Sequence, residues 1–326
     1  MLYPLKFKPI LKTAIWGGHR LPAAGKKVPR RLAASADRIS ESWEISGVRG
    51  NLSVAANGFL KSNNLEELTE VYMGDLVGDK IYERYGLEFP VLVKFIDARE
   101  RLSLQVHPDD ELAARHHGCR GKAEMWYVVD CEPDAAVYIG FNRPVSREEY
   151  LRAVADGTLT SLLGRYRVRK GDIYYVPAGT IHTIGPGILI AEIQETSDVS
   201  YRISDWDRVD ADGCPRALHT EEAAEAISFG HTDEHLYMVP AQPNAPREAL
   251  STPFFTTNLI RVQGTMQRDY GELDCFVIYV CTEGSVTVRT EGGEERIGAL
   301  ETLLLPAELD EARLTGDGTL LEIYIK

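Results

Sequence analysis

Two histidines, a glutamine and a glutamate stand where metal chemistry could be done. Gln105 and His107 are two apart in Leu104-Gln-Val-His. Residues two apart in a β-strand face the same side, so both would point into one interior. Glu124 follows a 16-residue loop and opens the next strand, and His182 comes just after the turn Pro177-Ala-Gly-Thr-Ile. Two imidazoles, a carboxylate and an amide oxygen form a plausible four-ligand set for a divalent cation. Each residue also has an ordinary reading. A single histidine in a strand is commonly structural, and Gln105 alone is a polar strand residue. Glu124 beside Lys122 could be a surface ion pair worth at most ~1 kcal/mol. Arg202 could pair with Asp198 or Asp205, and Glu192 could be an outward strand carboxylate. His116-His117 reads as part of an exposed loop, because adjacent side chains point apart. His219, just before Thr220-Glu221-Glu222, reads as a helix start, and His231 and His235 as linker residues.

The elements that must position these residues are mostly strands. Short strands and loops fill the first 60 residues, with a basic, loop-like stretch over 20–38. Leu65, Leu68, Val71, Tyr72, Leu76 and Ile81 recur at helical spacing and predict one or two helices. A second helical patch spans 146–163, where Ser146 and Glu149 have capping-box spacing. Two stretches then look like copies of one unit. The first comprises residues 125–142 and 170–194, the second residues 276–293 and 298–325. Each has strand, acidic turn, strand and Gly turn, then an apolar strand ending in Pro-Ala and a closing apolar-acidic strand. Two β-sandwiches or barrels follow from this pattern. The copies differ in their chemistry: His182 corresponds roughly to Glu311, and the second copy has no histidine. A metal carried by the unit belongs to the first copy.

Composition bounds the rest. At 326 residues, with 44% apolar and 26% charged residues, the chain is long enough for about two ordinary domains. The net charge of −13 repels nucleic acid and anionic membranes over most of the surface. An anionic small substrate therefore needs a local basic site. No apolar run reaches the roughly 18–20 residues of a membrane helix, and the N-terminus lacks a signal-peptide h-region. Five cysteines without a CxxC argue against a disulfide framework and fit a reducing cytoplasm.

The segment from Gly171 to His182 fits G-x5-P-x-G-x2-H, the second motif of the cupins, at every fixed position. The first cupin motif usually carries H-x-H with a nearby Glu. Here a Gln replaces the first His and the Glu is far away. In this the chain resembles the type I mannose-6-phosphate isomerases (phosphomannose isomerases) of the cupin superfamily, in their short bacterial two-cupin form. The resemblance extends through Pro4-Leu-Lys-Phe-Lys-Pro, Trp16-Gly-Gly, Glu41-Ser-Trp-Glu-Ile-Ser, Leu104-Gln-Val-His-Pro-Asp-Asp, Gly121-Lys-Ala-Glu-Met-Trp-Tyr, and the arginine-bearing run from Gln194 to Arg208. It covers almost the whole chain in order. Ser204 and Ser40 depart from it, where tyrosine and glycine are more usual.

The resemblance implies a mainly β fold of two cupin-type, jelly-roll-like barrels with helical insertions near 62–86 and 146–164. The expected division is a catalytic domain over 1–235 and a second cupin-like domain over 236–326 without metal ligands. It implies one Zn2+ per chain, other divalent ions being acceptable, held by Gln105, His107, Glu124 and His182. Arg202 is implied as a substrate-side cation, with Lys122 and Glu192 as candidates for proton transfer or substrate contact. The implied reaction, in cytoplasmic carbohydrate metabolism, interconverts mannose 6-phosphate and fructose 6-phosphate through a cis-enediolate. A metal bound to the carbonyl and hydroxyl oxygens would stabilise that species. The residues leave open which group is the base, which cation holds the phosphate, and the oligomeric state. No nucleic-acid or membrane partner is expected. Two other readings remain: an Fe(II) cupin oxygenase, disfavoured by a glutamine fourth ligand, and a sugar-phosphate-sensing cupin without catalysis.

Overall fold

The run Val-Leu-Val-Lys-Phe-Ile bears β-branched and aromatic residues on both faces, and it forms a strand, Val91–Ala98, that is buried throughout. A computed structural model of the chain describes residues 1–209, 213–231 and 235–326. Two compact units make up the fold. One comprises Leu11–Glu41 and Ile96–Tyr237; the other comprises Met1–Ile10, Ser42–Phe95 and Met238–Lys326. One crossing between them lies close to the expected cut after residue 235. Residues 1–10 and 42–95, however, group with the C-terminal strands and not with the histidine-bearing unit, so a single linear boundary does not describe the chain. The chain changes unit within β1 (Ile10–Gly18), β2 (Ile39–Ile45) and β3 (Val91–Ala98).

In the histidine-bearing unit the next strands are β4 (Leu104–Val106), β5 (Glu124–Cys131), β6 (Ala136–Phe141), β7 (Leu163–Arg167), β8 (Ile173–Val176) and β9 (His182–Ile184). They are followed by β10 (Ile188–Glu195), β11 (Tyr201–Ser204) and β12 (Leu236–Tyr237). One sheet runs β10-β5-β8-β12, the other β11-β4-β9-β6-β7. Trp16, Trp126, Val137, Tyr174 and Ile190 belong to one apolar core. Phe141, Tyr150, Tyr201 and Ile203 belong to a second, together with Ala223 and Ile227.

The other unit carries β13 (Arg247–Ser251), β14 (Thr256–Asp269), β15 (Val277–Thr290), β16 (Gly293–Gly298), β17 (Glu301–Leu305) and β18 (Glu311–Tyr324). The N-terminal segment is stitched to it. Leu5 and Leu304 exchange backbone hydrogen bonds of 2.8 and 2.9 Å, and Phe89 packs on Phe276 with ring centroids 4.5 Å apart. The internal repeat is visible in register. Glu322 of β18 lies opposite Tyr279, as Glu192 of β10 lies opposite Trp126. Glu322 is closed off by Arg268 (Nε at 2.7 Å), Asn258 (Nδ2 at 2.7 Å) and the Tyr270 hydroxyl.

The helices at the two expected insertions are Leu65–Val77 with Asp79–Tyr85, and Arg147–Ala155 with a 3-10 turn at Leu159–Leu162. Asn64 and Glu67 form a full capping box, and Ser146 accepts the Glu149 amide. Two stretches depart from expectation. The 20–38 segment contains a helix at Arg20–Ala23 and a 3-10 run at Arg30–Arg38. The loop before Glu124 contains a helix, Asp110–His117, so His116 and His117 end a helix and do not sit in a loop. Asp109 caps it by accepting the Leu112 amide at 2.8 Å, and Gly118 closes it in the left-handed conformation. Among the described residues no helix is long and apolar enough to cross a membrane.

Candidate functional site

Strand alternation and one glycine turn bring the predicted ligands together. Gln105 on β4 lies directly opposite His182 on β9, in one sheet. Glu124 opens β5, opposite Gln194 in the other sheet. His107 follows β4, and its carbonyl accepts the Gly179 amide at 2.8 Å, which ties it to the Pro177-Ala-Gly-Thr turn before His182. Gly179 has φ +80°, and a Cβ there would come within 2.6 Å of Ser228 Oγ, so the motif glycine is required by both conformation and space. His107, Glu124 and His182, each about 1% exposed, offer ligand atoms within 4.8 Å of one another.

Both imidazoles are fixed as the same tautomer. His107 Nδ1 faces the Val199 carbonyl at 3.0 Å, and His182 Nδ1 faces the Thr180 carbonyl at 2.8 Å. A carbonyl only accepts, so each ring donates from Nδ1 and turns its Nε2 lone pair inward. Those atoms lie 3.5 and 3.2 Å from the Glu124 carboxylate. Burial, reinforced by Lys122, pushes the His107 pKa down to about 3, and burial also lowers that of His182. Burial raises the Glu124 pKa, but Lys122 and the two histidines outweigh it and hold the carboxyl well below its usual range. Each ring thus turns an Nε2 lone pair toward the Glu124 carboxylate, with Lys122 Nζ alongside, and a divalent cation among these groups would take up those lone pairs.

The remaining predicted residues are placed around this core. Lys122 Nζ is 2.9 Å from Glu124 Oε2, 3.1 Å from His107 Nε2 and 3.7 Å from Glu192 Oε1. Glu192 is buried on β10, facing inward, and its Oε2 accepts the indole N–H of Trp126 at 2.9 Å. Arg202 on β11 lies opposite Gln105 across the β4 pairing. Its guanidinium donates to the Ala217 carbonyl at 2.8 Å, whereas Asp205 pairs with Arg208 and Arg216.

Comparison with known proteins decides the family. Over 319 residues the chain is 33% identical to a mannose-6-phosphate isomerase of Streptococcus mutans, covering 97% of this chain and 96% of that protein. It is 41% identical over 228 residues to the mannose-6-phosphate isomerase ManA of Bacillus subtilis, covering 69% and 68%. Residues 5–138 match the family described as phosphomannose isomerase type I, catalytic domain. The chain belongs to the type I phosphomannose isomerase family. The crystal structure of the Bacillus subtilis mannose 6-phosphate isomerase superposes with a TM-score of 0.86 at 30% identity, over 99% of each chain. The fold is accordingly the mainly β, cupin-type fold of that family.

The residues present suit the divalent ion on which this family depends. Lys122 pairs with Glu124 Oε2 at 2.9 Å, while the buried Glu124 Oε1 has no hydrogen-bond donor among the described residues. Unmet anionic lone pairs at this depth are costly, and a metal ion would use them. Gln105 turns its amide nitrogen toward His182 Nε2 at 3.3 Å, so its service as a ligand needs a half-turn of the amide to present Oε1. Trp126 is a site residue that the sequence reading passed over. It is two positions from Glu124 in one strand, hence on the same face, and that spacing was the available signal. The orienting carbonyls of Val199 and Thr180 belong to the backbone and carry no signal in residue type.

Proposed function

We infer that this chain catalyses the interconversion of D-mannose 6-phosphate and D-fructose 6-phosphate, with one zinc ion held by His107, Glu124, His182 and Gln105. The reading is carried by two neutral, carbonyl-anchored imidazoles facing an ionised, buried carboxylate, in a chain that matches mannose-6-phosphate isomerases from end to end. Bound there, a divalent ion supplies Lewis-acid stabilisation of negative charge developing on the sugar's C1 and C2 oxygens. With one carboxylate and three neutral ligands, the site retains net positive charge for that task.

The chain's own groups account for the rest. A proton must leave C2 and arrive at C1, or the reverse. Glu192 is the carboxylate we assign to that shuttle: the Trp126 N–H anchors one oxygen, and the other faces the Lys122 ammonium. Lys122, between Glu124 and Glu192, balances charge as the enediolate forms. All three side chains are buried, which strengthens the electrostatic interactions among them. Arg202 binds substrate oxygens; its Nε is buried and has no hydrogen-bond partner among the described residues.

The test is turnover of mannose 6-phosphate on protein as purified, after chelation, and after zinc is restored. Activity should disappear with the chelator and return with zinc. Folded protein inactive in all three states would overturn the assignment.

A further inference from the structure

Arg202 sits on an edge strand, and its outer side is held by something other than a strand. Among the described residues β11 pairs only with β4, and Arg202 faces Gln105 across that pairing. On the free edge the Arg202 N–H donates to His219 Nδ1 at 3.0 Å, and the Arg202 carbonyl accepts the His219 N–H at 2.8 Å. These two bonds reproduce the exchange in a hydrogen-bonded antiparallel pair, with an imidazole nitrogen replacing the neighbour's carbonyl. Two residues earlier, the Ala217 carbonyl takes the Arg202 guanidinium. A three-residue strap, 217–219, therefore grips both the backbone and the side chain of Arg202.

The imidazole has no competing task in the helix it precedes. His219 occupies the N-cap position of the helix Thr220–Ala226, yet its side chain makes no cap hydrogen bond. Nδ1 accepts, so the ring carries its proton on Nε2. The ring also lies beside Tyr201, centroids 6.3 Å apart, and the Tyr201 hydroxyl is held by His117 Nε2 at 2.8 Å.

We propose that His219 is a positioning residue for the isomerase reaction: its Nδ1 locks the Arg202 backbone so that the guanidinium is aimed at substrate before substrate arrives. This rests on the reading of Arg202 as a substrate-side cation, and the experiment separates the two. Steady-state kinetics with mannose 6-phosphate are measured on His219→Ala, His219→Phe, His219→Asn, Arg202→Ala and the double variant Arg202→Ala/His219→Ala, with zinc content and Tm for each.

His219→Ala and His219→Phe should each raise KM about fivefold, the scale of one half-buried hydrogen bond, with kcat and zinc content little changed. Phenylalanine keeps the ring's bulk without the acceptor, so it carries the test if alanine loosens the fold. Asparagine, whose Oδ1 can take the place of Nδ1, should recover most of the loss. Arg202→Ala should raise KM further, and adding His219→Ala to it should cost nothing more, since the two act as one unit. Losses that multiply in the double variant, or an unchanged KM in both His219→Ala and His219→Phe, would overturn the positioning role alone. An unchanged KM in Arg202→Ala would overturn the reading of Arg202, and the proposal with it.

Discussion

Removing a single imidazole separates ligation from folding at the residue scale. His182 turns its Nε2 lone pair toward Glu124 and donates one hydrogen bond to the Thr180 carbonyl. In His182→Ala the zinc content should fall to near zero and turnover should be lost, with the far-UV spectrum unchanged. Zinc retained at full occupancy would contradict the ligand set. The lowered histidine pKa values make a second prediction, for the metal-free protein. His107 protonates near 6.5 when unfolded and about 3 when folded, so between those values the unfolded chain binds a proton that the folded chain does not. The associated stability is complete above pH 6.5, declines as pH falls toward 3 and is flat below it, with a slope of about 1.4 kcal/mol per pH unit. Urea midpoints of chelated protein across this range should fall more steeply than those of His107→Gln; parallel curves would refute the linkage. The residue types that meet at the candidate site were readable because strand spacing and the Pro-x-Gly-x-x-His turn are local patterns. The tautomers were not, since they depend on carbonyls of Val199 and Thr180.

Turn geometry decides whether those ligands meet, and that belongs to the element. Gly179 holds a left-handed φ between two strands, donates to the His107 carbonyl and accepts the Ser228 amide. Gly179→Ala adds a Cβ against Ser228 Oγ and imposes strain of roughly 1–3 kcal/mol. The turn should shift, with a lower Tm and faster loss of zinc to a competing chelator. Wild-type values for both would show the turn to be more forgiving than its geometry implies. Strands with clear alternation were legible at this scale, as were the insertions with Asn64 and Ser146 caps. The helix Asp110–His117 escaped because it is eight residues long and buries only Leu112 and Ala113, too few positions to reveal a period. Its cap, Asp109, and its terminator, Gly118, were the signals present.

At the scale of the whole molecule the linear order of the chain misleads. The sequence suggests a catalytic domain over 1–235, with the helices near 62–86 inserted in it, and a second cupin-like domain over 236–326 without metal ligands. The partners of those helices are instead some two hundred residues away. Asp274 caps the helix Asp79–Tyr85 by accepting the amides of Asp79 at 2.7 Å and Lys80 at 3.1 Å. The carbonyls of Leu76 and Val77 accept from Ala307 and Phe276. No local pattern encodes contacts of that separation. A chain ending at Tyr237 would retain residues 1–10 and 42–95 but lose the strands they pack on. Leu5, Leu76, Val77 and Phe89 are all buried, and exposing each costs about 1.5–3 kcal/mol, a sum comparable to the whole stability of a typical domain, about 5–15 kcal/mol. The fragment 1–237 should therefore be insoluble or melt without a cooperative transition, although every proposed zinc ligand is present in it. Recovery of a soluble, cooperatively melting, zinc-loaded fragment would show that the histidine-bearing unit folds without the C-terminal strands. The ligands and the helices would then be separable, and the second cupin-like unit would have to be explained by something other than support for the N-terminal segments.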